Sequence, residues 1–369
     1  MTDSLAHSSL AGLQEQLAAA GFKPSHAGRL LRSCYAGDES APGAGPPLPQ
    51  GLPEWLAGHL PPAPTALAAR QVAGDGTVKL LLRLHDGRTV ESVLMRNERG
   101  GRAAGCLSSQ AGCAMGCDFC ATTRNGFERN LSAAEIVGQF LFLRREAGRA
   151  GRLLRTIVFM GMGEPLLNLD NVLDAVERIA DNRLGALGWR QVTLSTVGIV
   201  PGIDALAATG LNFHLAVSLH ASDDATRARL LPAGRRFPIA EILAAADRFQ
   251  ARRGRPVTIQ YCLLHGVNDS IPQAHALADL LSARRMHVNL LHYNATGPSL
   301  RGVVYFPTAP AEAGAFAAVL RSRGVVAHFR QPRGREIDAA CGQLRERATA
   351  AVGGATATAP SPRNAAAAS

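Results

Sequence analysis

The sequence predicts an α/β protein: a parallel sheet with its helices packed outside. Two observations carry this prediction. From about residue 102 onward, apolar strand-like runs alternate with amphipathic helical stretches six times, the pattern of repeated β/α units. The chain is also long enough, at 369 residues, for one core of roughly 200–250 residues with an accessory segment at either end. A hydrophobic content of 47% and a charged content of 18% are those of an ordinary globular protein, neither disordered nor membrane-spanning. No apolar run approaches the ~18–20 residues of a membrane helix, and the start lacks a charged-then-apolar leader. A cytoplasmic protein with no membrane partner is expected.

Residues 1–60 read as a helical accessory domain. Leu10, Leu13, Leu17 and Ala20 recur at helical spacing, and a basic helical stretch follows through Arg29, Leu30, Leu31 and Arg32. A Pro/Gly-rich linker runs from Ala41 to Pro53. Within 61–101, a short β element is marked by apolar runs from Val78 to Leu84 and from Thr89 to Met95, around turns at Asp75-Gly76 and Asp86-Gly87. The core occupies 102–348. Its strand candidates end at Leu107, Met160, Ser195, His220, Leu264 and Tyr293. Helices are predicted near 169–183, 201–209, 239–252, 271–285 and 309–323, and another after the capping box Ser132-Ala-Ala-Glu135, with Ile136, Val137, Phe140 and Leu143 as its buried stripe. The repeats admit an open partial barrel or a doubly wound sheet, and both collect ligands at the C-terminal ends of the strands. The Ala/Thr/Pro-rich tail, 349–369, is expected to be disordered.

The chemistry concentrates in three cysteines within eight residues: Cys113, Cys117 and Cys120. Three thiolates this close can each hold one corner of a cubane [4Fe–4S] cluster, and with no fourth cysteine nearby one iron stays open. Structural zinc is the competing reading, but it takes four ligands and the nearby chain offers no fourth Cys or His. Seven cysteines in a large chain without a leader argue for metal or redox chemistry over a disulfide framework. The net charge of +10 favours a polyanionic partner, and arginine carries nearly all of it, since Lys23 and Lys79 are the only lysines.

The C-x3-C-x2-C spacing resembles that of the radical S-adenosylmethionine (radical SAM) enzymes, in which the methionyl part of SAM chelates the open iron. Gly161-Met162-Gly163-Glu164-Pro165 after the second strand resembles that superfamily's Gly-Gly-Glu-Pro motif. Gly163 lets the backbone approach the SAM ammonium and Glu164 accepts from it. Ser195, Ser218-Leu219-His220 and Asn294 end strands at the same rim. Cys106, seven residues before Cys113, and the distant Cys341 narrow the resemblance to the RlmN/Cfr family of radical SAM RNA methyltransferases. The shared segments are Ser108-Ser-Gln-Ala-Gly-Cys113, Met160–Pro165, Ser195-Thr-Val-Gly198, Ser218–His220, Gly266-Val-Asn-Asp269 and Asp338-Ala-Ala-Cys-Gly-Gln-Leu344. They span roughly residues 70–346.

That resemblance implies a partial (β/α)6 radical SAM barrel and two SAM molecules per turnover. One methylates Cys341; the other yields a 5′-deoxyadenosyl radical that takes a hydrogen from the S-methyl group. The carbon radical adds to an adenine, Glu91 is the implied proton acceptor, and Cys106 resolves the protein–RNA adduct by forming a disulfide with Cys341. Implied partners are ribosomal RNA, transfer RNA and an electron donor such as flavodoxin; the enzyme is expected to be monomeric. Cys34 and Cys262 read as packing. RNA contacts are expected from the N-terminal helices and from Arg227/Arg229, Arg235/Arg236, Arg252/Arg253/Arg255 and Arg330/Arg333/Arg335. One branch of the family methylates C2 of a ribosomal adenosine and also transfer RNA; the other methylates C8. Here Leu230-Leu-Pro-Ala-Gly-Arg-Arg236 replaces the usual Pro-Ile-Asn-Asp stretch, and Ala295-Thr296 follows Asn294 where the C2 branch has Asn-Pro-Phe, so the modified carbon stays open. Competing readings are a radical SAM enzyme with another substrate, a non-catalytic iron–sulfur RNA-binding or electron-transfer protein, and a zinc-dependent hydrolase.

Overall fold

Twelve strands form among the described residues, most of them in runs that carry β-branched residues or leucine. They are β1 Thr65–Val72, β2 Val78–Leu84, β3 Thr89–Asn97, β4 Arg102–Cys106, β5 Gln110–Gly112, β6 Phe127–Asn130, β7 Leu153–Phe159, β8 Val192–Thr196, β9 His214–Ser218, β10 Val257–Leu263, β11 Met286–His292 and β12 Val326–Arg330. The computed structural model describes residues 2–36, 47–97, 100–184, 187–331 and 333–344. The expected tail and residues 41–46 of the expected linker lie outside the described residues.

Ten strands make one sheet in the order β1-β2-β3-β4-β7-β8-β9-β10-β11-β12, while β5 and β6 pair separately. From β4 to β12 every pairing is parallel. The six expected core strands are present, with ends within two residues of those read from sequence. β12 is a seventh that the sequence did not reveal. It is short, half polar and half exposed, as an edge strand covered on one side is, so its apolar pattern is weak. The short β element is not a separate unit. β3 pairs antiparallel with β4, setting Val93 opposite Cys106, so this meander extends the main sheet and covers what would be an open edge of β4. Its turns are closed by Asp75 and Asp86, whose carboxylates accept from the backbone N–H of Thr77 (2.8 Å) and Arg88 (3.1 Å).

Ten helices complete the described structure: α1 Leu10–Ala19, α2 Ser25–Ala36, α3 Leu52–His59, α4 Ala133–Arg149, α5 Leu169–Ile179, α6 Val200–Ala208, α7 Asp224–Leu230, α8 Ile239–Arg253, α9 Ile271–Leu281 and α10 Pro310–Ser322. α4 opens with the expected reciprocal capping box between Ser132 and Glu135. Its Ile136, Val137, Phe140 and Leu143 are fully buried. The N-terminal helices dock on α4 and α5: Arg145 holds Asp3 through two bonds of 2.8 and 3.2 Å, and Arg178 donates to the carbonyls of Ala6 and His7. No helix among the described residues is long and apolar enough to cross a membrane.

One buried side chain fixes how α4 meets the sheet. Gln139 accepts from Ser92 Oγ (2.8 Å) and from the Ser108 N–H (2.9 Å), and donates to the Ser108 carbonyl (3.0 Å). It thereby pairs the backbone where the chain leaves β4. Gln139→Leu strips both Ser108 groups of their partner in a place water does not reach. We expect it to lower unfolding free energy by roughly 2–4 kcal/mol in urea titrations, far more than an exposed Gln→Leu change.

Candidate active site

β5 leads directly into the three-cysteine loop, and glycine makes the turn. Gly112 has φ 71°, and a Cβ there would fall 2.0 Å from the Gly126 carbonyl oxygen. Cys113 N–H donates to that same carbonyl at 2.8 Å, and Thr123 Oγ donates to the carbonyls of Cys117 and Cys120. Asp118, buried between them, is the main anchor. Its N–H donates to Leu230 O (2.9 Å), and its carboxylate accepts from Arg301 Nε (3.0 Å) and Tyr305 OH (2.6 Å), which holds it below the usual carboxylate range against the opposing effect of burial.

All three thiols line one cavity of about 220 Å³ at the C-terminal ends of the parallel strands. Burial pushes Cys113 up to about 12 and raises Cys117 and Cys120 as well, with each deprotonated neighbour adding to the cost. Such thiols become thiolates when a metal group takes them.

Gly163, Glu164, Ser195, Ser218, His220 and Asn294 line the same cavity. Gly163 has φ 95°, with Gln110 Cβ only 2.5 Å from where its own Cβ would sit. Burial pushes Glu164 up to about 7, opposed by backbone N–H donation from Val197 (2.8 Å) and Leu166 (3.1 Å). A cation beside it would satisfy this carboxylate. His220 is pushed down to about 3 by burial; its neutral ring accepts from Cys262 N–H at 2.9 Å and meets the Phe119 ring edge-on. Asn268, from the Gly-Val-Asn-Asp motif, is fully buried and donates to the carbonyls of His220 and Cys262, both at 2.8 Å, so that segment braces the rim.

Cys106 and Cys341 also face this cavity. Cys106 is buried and pushed up to about 12, first by burial and then by the charge of Cys341. Cys341 is exposed on a loop sewn to the cysteine-rich segment: Ala121 N–H donates to Gly342 O (2.7 Å) and Thr122 Oγ to Leu344 O (2.7 Å). All seven cysteines are free thiols.

The remaining residues singled out in the sequence fall in several places. Leu219 is fully buried in the core between Ser218 and His220, which line the cavity. Glu91 is on the same face of β3 as the cavity-lining Val93 and Met95 and is buried, 3.1 Å from Lys79 Nζ. Cys262, read as packing, lines the cavity. Arg227 is 1% exposed and donates to the Gly234 and Val197 carbonyls, so it braces loops. Arg252, Arg253 and Arg255 precede β10, at the sheet's opposite end; Arg253 bonds Ala207 O and Arg255 meets His214. Arg330 and Arg333 do reach the cavity, and Arg229, Arg235 and Arg236 are exposed around the segment packed on the cysteine loop. Gln260, a buried polar residue in an apolar strand, lines the cavity and was missed; that mismatch of residue and strand was its signal.

The radical SAM superfamily model matches residues 107–278. The chain is 68% identical over 345 residues to a probable dual-specificity RNA methyltransferase RlmN of Opitutus terrae, covering 94% of this chain and 97% of that protein. It is 43% identical to a dual-specificity RNA methyltransferase RlmN of Myxococcus xanthus, covering 88% and 89%. The crystal structure of a radical SAM methyltransferase from Sphaerobacter thermophilus superposes with a TM-score of 0.86 at 41% identity, covering 92% of this chain and 98% of that one.

Cys117→Ala leaves two sulfurs for a group that needs three. Anaerobic reconstitution followed by iron and sulfide analysis is expected to show near-complete loss in this variant and full retention in Cys34→Ala, whose thiol is buried among the N-terminal helices.

Proposed function

The chain belongs to the RlmN family of radical SAM RNA methyltransferases, and from that membership we propose that it methylates C2 of an adenine in ribosomal RNA and in transfer RNA through an S-methylated Cys341. The observation that carries this reading is the meeting of Cys106, Cys341 and the three cluster cysteines in one cavity. The dual-specificity naming of the relatives supports the branch that acts on two RNA classes.

Members of this family use a [4Fe–4S] cluster and SAM, which together supply one-electron cleavage of a sulfonium and a carbon radical. Cys113, Cys117 and Cys120 would hold the cluster; Gly163, Glu164, Ser195, Ser218, His220 and Asn294 would hold SAM, with Glu164 accepting from its ammonium. The reaction needs a protein sulfur because an adenine C–H carbon is not nucleophilic and cannot take a methyl group from a sulfonium directly. Cys341 can carry that methyl group, because its loop is exposed at the cavity mouth and the residue lines the cavity.

Once carbon is bonded to the ring, Glu91 takes the ring proton. The adduct's one unpaired electron would return to the cluster held by Cys113, Cys117 and Cys120, leaving a closed-shell thioether. Cys106 sulfur then bonds to Cys341 sulfur as the Cys341 S–C bond opens; the C–S electron pair leaves with the carbon, which takes up the proton the Cys106 thiol gives up and so becomes the methyl group. The disulfide left behind takes two electrons from outside. An external donor of the flavodoxin kind, a monomeric enzyme and a cytoplasmic setting complete the reading. Arg330 and Arg333 at the cavity, with Arg229, Arg235 and Arg236 nearby, would meet phosphates and position the RNA, while a splayed-out adenine supplies specificity.

Mass mapping of ribosomal and transfer RNA from cells with and without the gene is expected to show one adenosine in each class that loses a methyl group. Unchanged RNA would sink the reaction even if the cluster is present. Cys341→Ala is expected to abolish methylation while RNA binding persists; retained methylation would exclude the S-methyl route. Glu164→Gln removes a charge-assisted contact of about 1.5–3 kcal/mol, so SAM affinity measured by equilibrium dialysis should fall ~10–150-fold.

A further inference from the structure

The cavity-facing side of the sheet carries a buried ion pair that the cluster chemistry does not explain. In the β2/β3 register Leu81 faces Glu91 and Lys79 faces Val93, so Lys79 and Glu91 are diagonal neighbours on one face. Val93 lies opposite Cys106 on that same face. Lys79 Nζ sits 3.1 Å from Glu91 Oε1, with the two side chains only 8% and 1% exposed. The same ammonium donates to the carbonyl of Asp338 at 3.4 Å, three residues before Cys341.

Asp338 has φ 52°, a left-handed conformation that a non-glycine residue keeps where its surroundings hold it. The surroundings here are the β1/β2 hairpin. Asp75 accepts from Gly334 N–H at 3.0 Å, and Gly74 N–H donates to Glu336. The loop that delivers Cys341 is therefore fastened to the hairpin that carries Lys79. Composition adds a separate argument: arginine takes nearly every cationic position in this chain, yet one of its two lysines sits here. A compact ammonium presents its three donors from one point, whereas arginine spreads its donors over a planar fork.

We propose that Lys79 is a positioning residue that aims Glu91 and ties it, through the Asp338 carbonyl, to the loop bearing Cys341. It takes no part in bond making. Its effect is to fix the distance between the group that accepts the ring proton and the sulfur that carries the methyl. This rests on the reading of Glu91 as proton acceptor and Cys341 as methyl carrier.

The test uses the reconstituted full-length enzyme with RNA substrate and compares Lys79→Met, Lys79→Arg and Glu91→Gln. Three readouts are followed separately: methylation of Cys341 by protein mass, release of 5′-deoxyadenosine, and conversion of covalent protein–RNA adduct into methylated RNA. Lys79→Met is expected to keep the first two and slow adduct resolution roughly 10–100-fold, as misplacement of a reacting group does, in parallel with Glu91→Gln. Lys79→Arg keeps the charge without the geometry, and should also accumulate adduct, to a smaller degree. Resolution at the wild-type rate in Lys79→Met overturns the proposal, as does an equal fall in all three readouts in both lysine variants, which marks a purely structural role. Wild-type resolution in Glu91→Gln shows instead that the underlying assignment of the proton acceptor fails. If Lys79→Met does not retain its cluster, Lys79→Arg decides between these outcomes.

Discussion

Three thiols, Cys113, Cys117 and Cys120, are brought together where burial resists their deprotonation, and much of the surrounding structure keeps them in place. The loop that holds them has little regular hydrogen bonding of its own, so distant segments supply it. Asp118 gathers Leu230, Arg301 and Tyr305 from two other rim loops. Gly342 and Leu344 accept from Ala121 and Thr122 on its far side. Fixing the cysteine loop therefore fixes the rim around it, and with it the loop bearing Cys341.

The sheet's continuity matters for the same reason. A parallel barrel sheet ending at β4 would expose Cys106 along an open edge. The antiparallel meander β1–β3 covers that edge and places Val93 and Met95 against the cavity. Further along the same strand stands Glu91, joined to Lys79 in a place where neither charge meets much water. A buried pair of this kind is a weak source of stability, because desolvation offsets most of the attraction. Its presence beside a reactive cavity fits a role in geometry.

Several rim residues serve structure and site together. The two carboxylate oxygens of Glu164 accept from Val197 and Leu166, which joins the loops after β7 and β8, yet the residue also faces the cavity. His220 adopts φ 57°, packs on Phe119 and accepts from Cys262 N–H. Neutral imidazole is what that arrangement requires, and burial enforces it. Side chains with two duties leave little freedom for substitution at the mouth of the barrel.

Local rules of the chain were enough to write down the repeating strands and helices, because apolar periodicity, the Ser132–Glu135 box and the Asp-Gly turns act over a few residues. The spacing of Cys113, Cys117 and Cys120 was likewise readable, since a tight loop is itself a local object. β12 was not, as an edge strand needs only one apolar face and leaves a faint pattern. Nor could the sequence tell that Glu91 is sealed against Lys79, that Leu219 points into the core while Cys262 faces the cavity, or that Arg227 braces loops that join three segments. A charge, a thiol or a leucine in a strand looks the same on either face; which way it turns, and what meets it there, is set by partners on other strands and loops that touch only when the sheet assembles.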